Sequence, residues 1–269
     1  MSSGLRSFSE AQFLALRRDS ASDIESYILD ADGLDAVFLL YVITLYFSLR
    51  LAFNLIMPGL HEKAATKSGR QYSRQQYMMV FLHKGFILPL CGLGWQRGFL
   101  PPELVYLLTG AYVVSDSMVN ARPVRGGSWG GNIGVHAHHI FTLLLCTVGA
   151  HLEAGPVNEG AFVILVGEVG SLFLTVTILH PTPLNVRLRF FTFVLSRLIA
   201  LYVGLGIVRA TADPVQQLVL VAVIAFLSYD NFKTLRAMSG SGGFVAAGSL
   251  GRSDSLAAEL TSFSEKKAQ

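Results

Sequence analysis

The feature that most constrains this chain is a series of long apolar segments that contain few charged residues. A membrane-spanning helix needs about 20 mostly apolar residues to cross about 30 Å of hydrocarbon. Seven segments reach or approach this length: 34–57, 77–93, 104–118, 135–150, 161–178, 188–208 and 214–232. Their apolar runs are unbroken rather than alternating, which favours helices over strands. The sequence therefore predicts an all-α fold, a polytopic transmembrane helix bundle of about seven spans.

The composition agrees with a membrane protein and excludes several other classes. Only 14% of the residues are charged, against roughly 25% in an ordinary soluble domain. Hydrophobic residues make up 52% of the chain, and its two cysteines are too few for a disulfide scaffold. A soluble globular domain, a disordered chain and a nucleic-acid binder are therefore excluded.

Lysine and arginine residues orient the bundle, because they are enriched in cytosolic loops. With seven spans, fourteen of them fall on one side of the membrane and five on the other. This bias predicts a luminal N-terminus and a cytosolic C-terminus. Residues 1–32 are a luminal lead, either an interfacial helix or a polar segment, and residues 33–235 are the transmembrane domain.

Residues 236–269 are rich in Gly, Ser and Ala and then in charge, which predicts a disordered cytosolic tail. Lys266 and Lys267 are the fourth and third residues from its end. Two lysines in these positions are typical of an endoplasmic-reticulum retrieval signal, which is an address that a receptor reads. The alternative is a chance pair in a polar tail. The signal predicts an endoplasmic-reticulum membrane protein with the retrieval machinery as a partner.

A few polar residues lie inside the predicted spans, where an isolated charge costs several kcal/mol. At about 1.5 Å per residue, they fall in the cytosolic half or near mid-membrane: His83, Lys84, Asp116, His136, His138, His139, Glu168 and Arg197. Their shared depth predicts a central polar cavity that opens to the cytosol.

The basic residues of this set have two interpretations. Lys84 and Arg197 are candidates for substrate binding through an anionic group. Alternatively, they are structural ion-pair partners of Asp116 and Glu168. His83 is a further candidate for substrate binding, or it packs against a carbonyl in the bundle.

The His136-Ala137-His138-His139 segment is the most distinctive motif of the sequence. On a helix, His136 and His139 share a face and His138 points to one side. In one interpretation, the imidazoles hold a zinc or iron ion together with carboxylates. In another, they move a proton while a carboxylate fixes their tautomer. The third alternative is an interfacial cluster without chemistry. We expect no resident metal, because the seven histidines of the chain are mostly scattered.

Three motifs in this region resemble the TLC domain. They are Val114-Ser115-Asp116, the His138-His139 pair and Glu168-x-x-Ser171-x-Phe173. The resemblance covers about residues 35–235 and points to the small TLC-domain membrane proteins in particular. The family also contains ceramide synthases and the translocating-chain-associating membrane protein. The resemblance implies a bundle of about six to seven helices around a central cavity, and a role in membrane lipid metabolism or homeostasis.

Ceramide synthases of this family acylate a sphingoid amine from acyl-CoA and need their paired histidines. The resemblance therefore implies that His138 and His139 are catalytic, with Asp116 or Glu168 as the carboxylate that orients them. Acyl-CoA is then a co-substrate, and no other cofactor is implied. The synthases also carry a His-Asp motif downstream of the pair, whereas this chain has Glu168 alone there.

Two functions remain open from the sequence. The first is a His-dependent acyl-CoA:lipid acyltransferase of sphingolipid or related metabolism. The second is a non-enzymatic protein that binds, senses or transports a membrane lipid in the same cavity, which the missing His-Asp motif favours. A metal-dependent hydroxylase is a third interpretation. Membrane lipids are the expected partners in the first two.

Overall fold

The computed structural model describes residues 36–56, 63–65, 71–120, 133–180 and 182–240. Most of these residues are helical. The helices are α1 (Ala36–Ile56), α2 (Arg74–Leu82), α3 (Leu88–Gln96), α4 (Glu103–Asn120), α5 (Ile133–Ala150), α6 (Ala154–Gly170), α7 (Leu172–Leu179), α8 (Pro183–Ala210) and α9 (Pro214–Gly240). The predictions for the N-terminal lead and for Lys266 and Lys267 lie outside the described residues.

Each predicted span coincides with one helix or with two consecutive helices, so the all-α prediction is confirmed. Among the described residues, four stretches are long and apolar enough to cross a membrane: Tyr77–Gln96, Gly155–Thr177, Pro183–Ala210 and Pro214–Arg236. Shorter apolar stretches lie in α1 and α5. These helices indicate an integral membrane protein, while the count of seven spans stays a prediction.

Large apolar side chains on the outside of the helices agree with a lipid environment. Leu55 of α1 is 74% exposed and Leu218 of α9 is 69% exposed. Soluble proteins rarely expose wide apolar surfaces, whereas lipid tails cover such surfaces in a membrane protein.

Two short strands lie between the first two predicted spans. β1 (Lys63–Ala65) pairs antiparallel with β2 (Gln71–Ser73), and Ala64 lies opposite Tyr72. Strands of three residues are too short to show a periodic pattern in the sequence.

The boundaries of α6, α8 and α9 differ most from the predictions. α6 begins at Ala154 rather than 161. α8 begins at Pro183 rather than 188, because the Thr182 side chain accepts a hydrogen bond from the Asn185 N–H and proline suits the first turn. α9 continues to Gly240, so residues 236–240 are helical and do not belong to the predicted tail. Met238 is only 6% exposed, which shows that the packed face extends past the predicted boundary.

A π-helical turn, His83–Ile87, joins α2 to α3, and the Leu88 N–H donates to the His83 carbonyl. Pro89 follows directly, and a proline ring clashes with the carbonyl four residues earlier, here that of Gly85. The wider turn relieves this clash within an otherwise continuous helix. It therefore places His83 and Lys84 relative to α3.

The helices pack so that α5, α6, α8 and α9 surround a cleft. α6 packs against α8 and also contacts α3, α4 and α5. α9 packs against α5 and α8, while α1 covers the other side of α4. We call the end of the bundle where α4 stops and α5 begins the histidine end.

Tyr106 of α4 packs closely against both α5 and α6. The residue is 1% exposed, and its hydroxyl donates to the Val157 carbonyl at 2.7 Å. A Cβ atom added at Gly149 of α5 or Gly160 of α6 would overlap the Tyr106 side chain. Both positions therefore require glycine.

We predict that Gly149→Ala lowers the free energy of unfolding by about 1–3 kcal/mol, because the methyl group overpacks the Tyr106 ring. Gly206→Ala is the matched control, since no heavy atom lies within 4 Å of its added Cβ. Alanine is the better helix former, so the control should keep or raise stability. Thermal unfolding of the purified protein in detergent tests this, and equal stability of the two variants would contradict it.

Candidate functional site

Asp116 and Arg50 form a buried ion pair between α4 and α1. Arg50 Nη2 lies 2.9 Å from Asp116 Oδ1, and the two side chains are 5% and 6% exposed. His139 Nε2 of α5 lies 3.6 Å from the other carboxylate oxygen, Oδ2. Asp116 therefore joins three helices at the histidine end. Its ion-pair partner is Arg50 rather than the predicted Lys84 or Arg197.

His139 is held against α4. Its Nδ1 shares a hydrogen bond of 2.7 Å with the Ser117 hydroxyl. Its Nε2 faces Asp116 at a distance longer than a hydrogen bond. Both ring nitrogens of His139 therefore face protein groups.

His83 is fully buried between two tyrosines. Its Nδ1 shares a hydrogen bond of 2.6 Å with the Tyr46 hydroxyl. Its ring stacks on Tyr112 with the centroids 4.3 Å apart. His83 was predicted to bind substrate, and the structure places it in this aromatic contact between α1 and α4.

Lys84 and Glu168 form a second ion pair. Lys84 Nζ lies 2.8 Å from Glu168 Oε2 and donates to Ser171 Oγ at 2.7 Å. The two side chains are 17% and 19% exposed. The structural alternative for Lys84, an ion pair with Glu168, is therefore observed.

Arg197 of α8 bridges to α6 and α9. Its Nη1 donates to the Gly167 carbonyl at 2.5 Å, and its Nε donates to Asn231 Oδ1 at 2.9 Å. The guanidinium carbon lies 4.5 Å from the centroid of the Phe193 ring. These contacts fix the guanidinium beside Glu168 in the wall of the cleft.

His138 and Asp230 form a pair between α5 and α9. His138 Nδ1 lies 3.1 Å from Asp230 Oδ2, and the side chains are 35% and 27% exposed. An ionised carboxylate only accepts hydrogen bonds, so His138 donates from Nδ1 in this contact. With that tautomer of a neutral imidazole, Nε2 is the acceptor. The His138 and His139 ring centroids are 6.2 Å apart, and the two rings contact different carboxylates.

The cleft between α5, α6, α8 and α9 has a volume of about 120 Å³. The polar side chains along its wall toward the histidine end include His138, Glu168, Arg197 and Asn231. The rest of the wall is mostly apolar and includes Ile164, Ile207, Leu220 and Val223. The arrangement suits a ligand with one polar end and one apolar chain.

Three important residues were missing from the sequence prediction of the site. Arg50, in the first predicted span, was counted only among the Lys and Arg residues that orient the bundle. Asp230 and Asn231 lie near the end of the seventh predicted span. All three lie at the same depth along the predicted spans as the polar residues that the sequence analysis selected. Counting depth for every charged or amide residue, including those near span ends, would have found them.

Metal binding was one interpretation of the histidine segment. Within the described ranges, His, Cys, Asp and Glu side chains do not gather in any group of three or more that could hold a metal ion. Asp116 and Glu168 instead face the basic side chains of Arg50 and Lys84. The described part of the chain therefore offers no complete set of metal ligands.

Comparisons with protein families, with curated proteins and with solved structures find no match to this chain. The resemblance to the TLC domain therefore stays a prediction that rests on the three motifs.

We predict that Arg50→Gln lowers the free energy of unfolding by about 3–5 kcal/mol, because it leaves the Asp116 charge buried without its cation. Asp116→Asn should have an effect of similar size. The double variant Arg50→Gln/Asp116→Asn removes both charges, so it should lose much less than the sum of the single variants. Arg187→Gln, an exposed position, is the control. Unfolding in detergent measures the stability of all four variants. If the double variant loses as much stability as the two single variants together, Arg50 and Asp116 do not act as a pair.

Proposed function

We propose that this chain is an endoplasmic-reticulum membrane protein of lipid metabolism, and that an acyl chain lies in the cleft between α5, α6, α8 and α9. The division of the cleft wall into polar and apolar parts supports this proposal. Arg197 and Ile207 are ten residues apart on α8, which corresponds to about 15 Å. The acyl chain would extend along this distance toward Ile207 and Leu220, with its polar group beside Arg197.

The proposed reaction is acyl transfer from acyl-CoA to the amine or hydroxyl of a lipid. His138 Nε2 takes the proton from the acceptor, whose nitrogen or oxygen attacks the thioester carbonyl. The C–S bond breaks, and His138 returns the proton to the leaving thiolate. Asp230 holds the Nδ1–H tautomer and stabilises the imidazolium in between.

The other polar groups of the cleft have separate roles in this proposal. Arg197 places its positive charge where negative charge develops on the carbonyl oxygen. Lys84 balances the charge of Glu168, so Glu168 orders the polar wall without repelling the anionic intermediate. His139 and Asp116 hold α4 and α5 together and thereby position His138.

Two sequence features support the same proposal. The His138-His139 pair and the Glu168-x-x-Ser171-x-Phe173 segment resemble the TLC domain, which implies lipid metabolism. The excess of Lys and Arg in the loops of the histidine end supports a cytosolic location of that end, where acyl-CoA is available.

Acyl transfer can be tested with the purified protein, a panel of acyl-CoAs and a panel of lipid acceptors that includes a sphingoid base. We expect His138→Ala to lower product formation about 100-fold or more, which is typical for the loss of a general base. Asp230→Asn should also lower the rate, because the carboxylate no longer fixes the tautomer. His151→Ala is the control, since His151 is an exposed histidine at the other end of α5. Equal product from wild type and His138→Ala would exclude this mechanism.

The second candidate function is lipid binding or sensing without catalysis. The ion pair of Glu168 with Lys84 and the missing His-Asp motif favour it. In that case the acyl-CoA assay gives no product with any variant, and a lipid remains unchanged in the cleft.

Occupation of the cleft is common to both functions and has its own test. Gly204 lines the cleft, whereas Gly134 lies outside it and an added Cβ there meets no heavy atom within 4 Å. We predict that Gly204→Leu fills the cleft and lowers the amount of co-purified acyl lipid several-fold, while Gly134→Leu does not. Mass spectrometry of the extracted lipids measures both. The same lipid content in Gly204→Leu and wild type would show that the lipid lies elsewhere.

A further inference from the structure

A second cavity lies at the end of the bundle opposite the histidine end. Its volume is about 630 Å³, and its wall comes from the end of α3, the start of α6 and the end of α8. Arg209 in this wall is twelve residues from Arg197 along α8, which corresponds to about 18 Å. The cavity is therefore separate from the acyl cleft.

Aromatic side chains form part of this second cavity. The indole N–H of Trp95 donates to Asn158 Oδ1 at 3.0 Å, which fixes the orientation of the ring. Tyr202 also lines the cavity and is 82% exposed. Trp and Tyr near the ends of membrane spans lie at the level of the lipid headgroups. The cavity is thus placed where a headgroup can reach it.

Two opposite charges complete the wall. Glu159 is near the start of α6, Arg209 is in the last turn of α8, and both are exposed. In the part of the chain that the structure describes, neither of them forms an ion pair. An anionic ligand would be repelled by Glu159 and a cationic ligand by Arg209, so the cavity favours a ligand that carries both charges.

We propose that this cavity binds the headgroup of a zwitterionic phospholipid of the phosphocholine type. The quaternary ammonium group lies against the faces of Trp95 and Tyr202, close to the Glu159 carboxylate. The phosphate accepts hydrogen bonds from the planar guanidinium of Arg209. Phe162 and Leu205 provide an apolar wall for the glycerol backbone and the first methylene groups. This site does not depend on the proposed acyl transfer.

The proposal can be tested with the full-length protein in detergent and three soluble probes, by native mass spectrometry of bound molecules. The probes are dioctanoyl-phosphatidylcholine, dioctanoyl-phosphatidylglycerol and glycerophosphocholine. We expect the phosphatidylcholine to bind best. Arg209→Gln should weaken phosphatidylcholine binding about tenfold, which corresponds to the loss of one charged hydrogen bond. Glu159→Gln should also weaken this binding. Arg187→Gln on the same helix is the matched control.

A second variant separates the aromatic contact from the charges. Tyr202→Leu keeps an apolar side chain at an exposed position, so folding should be preserved. We expect it to weaken phosphatidylcholine binding and to leave phosphatidylglycerol binding unchanged, because only the former carries the ammonium group.

Three results would overturn the proposal. One is equal binding of phosphatidylcholine and phosphatidylglycerol to the wild type. Another is an effect of Arg209→Gln no larger than that of Arg187→Gln. The third is binding of glycerophosphocholine as tightly as the lipid, which would assign the cavity to a water-soluble ligand.

Discussion

Charges inside an apolar bundle must be paired, and two ion pairs between helices meet this requirement. Arg50 and Asp116 join α1 to α4, and Lys84 and Glu168 join the turn after α2 to α6. Removing one partner leaves an uncompensated charge, which costs several kcal/mol in such surroundings. Each pair therefore fixes the register between two helices more strictly than apolar packing alone does. The cleft and the polar groups along its wall depend on that register.

The turn between α2 and α3 shows how a local sequence feature serves this pairing. Neighbouring residues on a helix point about 100° apart, so His83 and Lys84 face different parts of the bundle. His83 stacks on Tyr112, while Lys84 reaches Glu168 and Ser171. Pro89 prevents regular α-helical bonding just beyond them. The π-helical turn keeps the helix continuous while both residues keep their partners.

The sequence could predict helices and depths, but not rotations about the helix axes. Apolar runs located the helices, although α6 begins at Ala154 rather than 161 and α9 ends at Gly240 rather than 232. Opposite charge at similar depth suggested Lys84 and Arg197 as partners of Asp116 and Glu168, and the Lys84–Glu168 pair forms. The same reasoning missed Arg50 as the partner of Asp116, because a charge near a span end was assigned to topology. Asp230 was missed because it lies near the end of the seventh predicted span and only Lys and Arg were counted there. Pairing depends on which side of a helix faces which neighbour, and this is set by the packing of the whole bundle.

The histidine pair shows why adjacency in sequence is a weak guide to shared chemistry. His138 and His139 are consecutive, so their side chains point in different directions on α5. His139 faces Ser117 and Asp116 of α4, while His138 faces Asp230 of α9 and lines the cleft. One ring therefore connects two helices, and the other is exposed to whatever occupies the cleft. A substitution of both residues at once would combine a packing defect with the loss of a cleft residue. Only single substitutions, with stability measured beside activity, separate the two roles.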